Sequence, residues 1–337
     1  MSHGQGDRYA IGPTGPTGAT GAAGADGFSA PQGRLTLTTA TPIMSTSTVG
    51  TTIYYTPYVG DKIPTYNGSS TWTMRTFTEE ALILHATPHL IDTNYDLYMV
   101  WDGTELVLCT GTAWTNGTTR ATGLTMQNGI WLNTSAQPMK KSSNGDVVAA
   151  AGNVPALTAT YVGTVRMSAA ATTRMDFAIA AVANGNFPKL FLWNAYNRVK
   201  AYAIERDGAG NHAYTAEAWR LHSNNTNCRL HFVVGQTTGF EATYYQFAYN
   251  PTAGAWMRIG IAYDSDKVRD VDGTTGGCYS TASMVGHMVA ALNKYATAGY
   301  HYIAPLVAGT ATGTSYYYGI ESDATKWQTG LHIALDM

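Results

Sequence analysis

The segment "DSDKVRDVDG" sets four carboxylates, Asp264, Asp266, Asp270 and Asp272, just before Gly273. Carboxylates two apart on a turn can share a hard cation such as calcium. The spacing departs from that of an EF-hand loop, because the middle ligand pair and the early glycine are absent and no glutamate closes the loop. Lys267 and Arg269 also neutralise half the charge, so the expectation is a solvated loop without a metal. His85 and His89 stand four apart, the spacing of two metal ligands on a helix, but Pro88 lies between them and breaks that geometry. His222, His231, His287, His301 and His332 are scattered over the last part of the chain. On a three-fold axis one of them could meet its own two copies, and nothing in the spacing selects which.

For catalysis the chain offers no G-x-S-x-G elbow, no H-E-x-x-H and no phosphate-binding glycine loop. Glu205 with Asp207, or Glu241 with a distant aspartate, could serve as the two carboxylates of a glycosidase. Among 22 acidic residues such pairs are no signal without geometry, so no enzyme and no cofactor is expected. The aromatic residues carry more. The chain has 22 Tyr and 8 Trp, and Tyr300, Tyr302, Tyr316, Tyr318 and Trp327 fall near turns. Amphipathic rings give contact area at low entropy cost, which suits sugar or protein surfaces. These five are the expected receptor-binding residues. Alternation along "TSYYYG" requires at least one of its rings to face the core.

What positions these residues is a chain of β type. Only 12% of the 337 residues are charged, and the net charge is -2, so no nucleic-acid surface is expected. Strand-like runs alternate with turn pairs such as Asn67-Gly68, Asp102-Gly103 and Asn128-Gly129. "DLYMVWDGTELVL" reads as a hairpin over Asp102-Gly103. Two stretches carry helical spacing. "TFTEEALILH" has Thr76 and Glu79 at capping-box distance but fits a strand equally. In "MVGHMVAALNKY", Val285, Met288, Val289, Leu292 and Tyr295 predict a helix over an open edge. Cys109, Cys228 and Cys278 are widely spaced and odd in number, which points to reduced, mostly buried thiols. The start, "MSHGQGDRYAIGP", lacks a basic region leading into an apolar run, and the apolar stretches are shorter than a membrane span, so neither a secretory signal nor membrane insertion is expected.

Near the start the pattern changes. Gly12, Gly15, Gly18, Gly21, Gly24 and Gly27 recur at every third position, with Pro13 and Pro16 after the first two. Only glycine fits at the axis where three polyproline-II-like chains wind together, whereas a flexible linker has no reason to keep a period of three. Six triplets span roughly 50 Å at about 3 Å per residue, too little to hold three chains alone, so the downstream parts must trimerise. The reading is a mainly β homotrimer. Residues 1–11 form an N-terminal anchor and 12–29 a collagen-like neck. A small β domain at 34–135 is followed by a linker at 136–153 and a C-terminal jelly-roll-like sandwich at 154–337.

A short collagen-like neck before β domains resembles bacteriophage and prophage tail-fibre proteins. "TTIYYTPYVGDKIPTYNGSSTWTMRTFTE" and "DLYMVWDGTELVLCTGTAWTN" are similar to a module common in such proteins. The glycine–proline–threonine triplets also look like those of spore-surface collagen-like glycoproteins, whose repeats are usually far longer. The tail-fibre resemblance implies a virion protein made in the host cytoplasm. It implies attachment to tail or baseplate proteins through the N-terminus, and a distal end that touches a bacterial surface glycan or protein. The alternatives are a head fibre or decoration without a receptor, a cellular collagen-like surface protein and, last, a polysaccharide depolymerase.

Overall fold

The computed structural model describes residues 29–141, 148, 152–281, 285–319 and 329–337. The anchor at 1–11, the glycines of the neck and Trp327 lie outside the described residues. Twenty-five strands and one short 3-10 turn, Thr226–Cys228, make up the regular structure, and no α-helix occurs among the described residues. None of the described helices is long and apolar enough to cross a membrane. The mainly β reading holds.

Three larger sheets carry the body. The first pairs Leu106–Thr110, Asn94–Trp101, Ala159–Arg166, Ile130–Asn133 and Leu124–Gln127 in that order, with Leu192–Asn194 added on Ala159–Arg166. The second is centred on Gly299–Ala308, between Leu230–Val234 and Trp256–Tyr263, with Arg220–Leu221 also pairing with it. The third is built around Thr238–Tyr249, flanked by Gly286–Ala296 on one side and by Gly330–Asp336 and Ser315–Tyr318 on the other. Asn211–Tyr214 extends it beyond Ser315–Tyr318, and Lys200–Glu205 beyond Gly330–Asp336. A three-stranded sheet of Gly33–Thr36, Thr52–Pro57 and Glu80–Ile83 and the hairpin Lys62–Tyr66/Trp72–Thr76 complete the N-terminal part.

Side-chain alternation sets the core. Along Thr238–Tyr249 the buried positions are Thr238, Phe240, Ala242, Tyr244, Gln246 and Ala248, every second residue. Phe240 packs against Phe232 and Tyr263 of the second sheet, with ring centroids 5.4 and 5.7 Å away, so these two sheets meet face to face. One hydrophobic cluster runs from Leu35 and Ile53 through Tyr98 and Tyr161 to Phe232, Tyr244 and Leu335. Strand Ala159–Arg166 is hydrogen-bonded to Asn94–Trp101 through its whole length. Residues 34–135 and 154–337 are thus joined by strand pairing and a shared core. Within 136–153, Met139 and Val148 are buried, and Gln137 pairs with Val154.

Of the two stretches with helical spacing, the first takes the strand form it equally fitted, and the helix expected in the second is corrected. Glu80–Ile83 is a strand paired with Thr52–Tyr55. Gly286–Ala296 is a strand of eleven residues paired along Thr238–Tyr249. Met288, Ala290 and Leu292 face the core while His287, Val289 and Asn293 face outward, so a period of two coexists with the helical spacing. A long ladder on a strand already half-buried outweighs a spacing that also fits a helix.

Candidate functional site

The four aspartates of the 264–272 turn do not converge on a cation. Asp264 Oδ2 lies 2.7 Å from His301 Nδ1, and its Oδ1 accepts the Tyr302 amide at 2.9 Å. Asp266 is bound by Arg229, with Nε to Oδ1 at 2.8 Å. Asp270 and Asp272 share Lys294, at 3.0 and 2.8 Å. The charges of these four aspartates are met by basic groups from two other strands and the residue preceding a third, and not by Lys267 and Arg269.

His85 and His89 form a local structural pair. The His85 amide donates to His89 Nδ1 at 2.9 Å, and His89 Nε2 faces Thr110 Oγ1 at 3.0 Å. Burial pushes His89 down to about 4. Cys109 and Cys228 are buried and Cys278 half-buried, all as free thiols.

The expected receptor tyrosines spend much of their surface within the chain. Tyr300 has the Arg166 guanidinium 3.9 Å from its ring centroid and its hydroxyl 2.5 Å from His231 Nδ1. Tyr302 lies under Arg229 at 4.5 Å. Tyr316 stacks on Tyr249 with centroids 6.3 Å apart, while Tyr317, between Tyr316 and Tyr318, is the ring that turns into the core. The aromatic surface that the sequence did not single out lies on the outer face of the third sheet. There a groove of about 450 Å³ is lined by Tyr202, Tyr245 and His332, with Glu241, Thr243 and Arg206 as polar groups. Tyr202 is 64% exposed. The alternate residues of adjacent strands share this face, a signal present in the sequence once the pairing is known.

Glu205 and Asp207 do come together, but not as glycosidase acids. Both are buried, and Asp207 is held by three hydrogen-bonding groups and faces the His222 ring as a fourth neighbour. Its Oδ1 accepts the amides of Asn184 and Ala209 at 2.8 and 2.9 Å. Its Oδ2 is hydrogen-bonded to His212 Nε2 and lies 3.3 Å from His222 Nε2. Burial opposes ionisation of Asp207, but the two histidines outweigh it and hold the carboxyl well below its usual range. Burial pushes His222 down, against the attraction of Asp207. Glu205 is raised well above the carboxylate range by burial, then by the charge of Asp207. Its Oε1 has no hydrogen-bond partner.

The outer partners of this cluster are fixed by the third sheet. Tyr244 donates its hydroxyl proton to Gln246 Oε1 at 2.6 Å and stands 3.1 Å from His222 Nδ1. The Gln246 amide orientation follows from its Nε2, which donates to the carbonyls of Phe247 and Tyr318, both at 2.7 Å. Sequence reasoning named Glu205, Asp207 and His222 separately and passed over His212. The three segments meet only through strand register, which no local spacing encodes.

No family model matches the chain, and no curated protein matches it. Among solved structures, the Eiger TNF of S. frugiperda aligns at 8% identity over 42% of this chain and 92% of its own, with a TM-score of 0.27. The insecticidal delta-endotoxin Cry8Ea1 of Bacillus thuringiensis aligns at 8% identity over 91% of this chain and 52% of its own, at 0.22. The mosquito-larvicidal Cry4Aa toxin of Bacillus thuringiensis gives 6% identity, 85% and 49%, at 0.21. The chain spans about half the length of these two toxins. Likeness at these scores carries no weight for fold or function.

Proposed function

We propose that the chain is a trimeric structural and adhesion protein of a phage-like particle. Residues 12–29 wind into a collagen-like neck, and a β body ending in a jelly-roll-like head presents a surface to a bacterial glycan. The observation that carries this reading is the strict three-residue register of Gly12, Gly15, Gly18, Gly21, Gly24 and Gly27. The groove beside Tyr202 and Tyr245 supports the adhesive part, because it pairs exposed rings with carboxylate, hydroxyl and guanidinium groups suited to sugar hydroxyls. Three such grooves on one rigid body would bind a repetitive surface by multivalency, with each site weak.

The inward contacts of Tyr300 and Tyr302 favour one other reading, a decoration protein without a receptor. The solution mass of the chain with and without residues 1–28 tests the assembly; a trimer in both forms is expected, and a monomer in both overturns it. Binding of the trimer to a glycan array tests the adhesion. Loss of that binding in Tyr202→Ala supports the groove, and absence of any glycan signal leaves the decoration reading in its place.

A further inference from the structure

We propose that Asp207, His212 and His222 bind a divalent transition-metal ion of the zinc class, which clips the second and third sheets together. The three ligand atoms lie within 4.8 Å of one another. Asp207 follows the strand Lys200–Glu205 and His212 sits on Asn211–Tyr214, both in the third sheet. His222 follows Arg220–Leu221, which pairs with Gly299–Ala308 in the second. An ion held by all three spans the two layers.

The hydrogen-bond network carries the argument. Because the Tyr244 proton is committed to Gln246 Oε1, the Tyr244 oxygen can only accept from His222. His222 therefore carries a proton on Nδ1, which leaves Nε2, 3.3 Å from Asp207 Oδ2, as the nitrogen a cation would take. An ion between these two buried groups would satisfy both. The 3.3 Å between His222 Nε2 and Asp207 Oδ2 matches the edge of a tetrahedron with metal–ligand bonds of about 2.0 Å, whereas His212 Nε2, hydrogen-bonded directly to the same Oδ2, must draw back to admit the ion. Tyr244 then plays the outer part usual for metal-bound histidine, taking the proton of the nitrogen that does not bind the ion. His212 is only half-buried, so the fourth position opens toward water.

The test uses the full chain treated with EDTA, desalted and then incubated with Zn²⁺ or Co²⁺ alone. The expected result is about one ion per chain by elemental analysis and a four-coordinate Co²⁺ absorption spectrum. At free ion about 100 times the Kd, the folding equilibrium shifts about 100-fold and the melting temperature rises. His212→Gln, at the least buried of the three ligands, abolishes the Co²⁺ spectrum and the thermal shift while its far-UV circular dichroism matches that of the unaltered chain. Tyr244→Phe keeps the ligands and weakens binding by about 10-fold or more. His287→Gln, elsewhere on the surface, leaves binding unchanged. The proposal is overturned if the EDTA-treated chain takes up no ion, in which case a proton holds His222 against Asp207. It is equally overturned if His212→Gln binds the ion as well as the unaltered chain does.

Discussion

Arg120 grips Asp96 with two nitrogens, Nε to Oδ2 at 2.6 Å and Nη2 to Oδ1 at 3.2 Å, in a site where both side chains are largely buried. The same guanidinium donates to the Gly235 carbonyl at 2.5 Å and lies 4.4 Å from the Trp114 ring. Thr164 Oγ1 donates to the other face of the pair, reaching Asp96 Oδ1 at 2.7 Å. One ion pair therefore links the loop around residue 120, two neighbouring strands and the turn that enters the third sheet. Removing one partner of such a pair strands the other charge, which costs about 3–5 kcal/mol. Arg120→Met is expected to lose stability on that scale, and Arg120→Met with Asp96→Leu to lose less. Urea unfolding of both proteins checks the order, and a loss below about 1 kcal/mol in the single variant would reduce the pair to surface strength.

A buried histidine and a half-buried glutamate give opposite pH signatures. His89 titrates near 4 when folded, below its ordinary range, because burial disfavours its charged form. Its stabilising effect is complete above about pH 6.5 and is lost as pH falls from there toward 4. Glu80 is raised to about 7 by burial and then by the charge of Glu105. A carboxyl raised in the folded state stabilises below its unfolded value of about 4.5, and this contribution is lost as pH climbs to about 7. Melting temperature against pH should fall less steeply on acidification in His89→Gln, and less steeply toward neutrality in Glu80→Gln. Parallel curves for a variant and the unaltered chain would remove that group from the account.

Gly163 marks where strand Ala159–Arg166 shifts register against Asn94–Trp101. A Cβ there would stand 2.2 Å from the Trp193 carbonyl oxygen and 2.4 Å from Leu35 Cδ1. The backbone contact cannot relax by rotating a side chain. Gly163→Ala is expected to destabilise by roughly 3 kcal/mol, at the upper end for overpacking, with a lowered urea midpoint as the readout.

Because Ala159–Arg166 completes a sheet begun by Asn94–Trp101, neither half of the chain should fold alone. Residues 1–145 and 152–337, expressed separately, are expected to be insoluble or to lack sharp thermal transitions, while the whole chain melts in one step. Two soluble fragments with independent transitions would restore the two-unit organisation expected from the sequence.

Local chemistry was legible in the sequence wherever a turn is its own cause. Asp102-Gly103 joins Asn94–Trp101 to Leu106–Thr110, with Asp102 Oδ1 accepting the amides of Thr104 and Glu105 and Gly103 at φ +107°. Asn128 and Gly129, at φ +50° and +83°, turn Leu124–Gln127 back on Ile130–Asn133. Pairing between distant strands left no such mark. Gly286–Ala296 reads as a helix until its ladder with Thr238–Tyr249 is in place, and His212 says nothing until register carries it to Asp207. The aspartates of 264–272 look like a cation site only while Arg229, Lys294 and His301 are far away in the chain.

Arg34, in the first strand of the body, donates through Nη2 to the carbonyl of Met337 at 3.1 Å, and Met337 exchanges two backbone hydrogen bonds with Val199, each 2.9 Å. Residue 337 is therefore stitched beside the point where the chain enters its first strand. The first strand of the described body and residue 337 lie side by side. A fluorescent or affinity tag fused after Met337 would emerge beside Gly33–Thr36, where Arg34 also reaches Asn197.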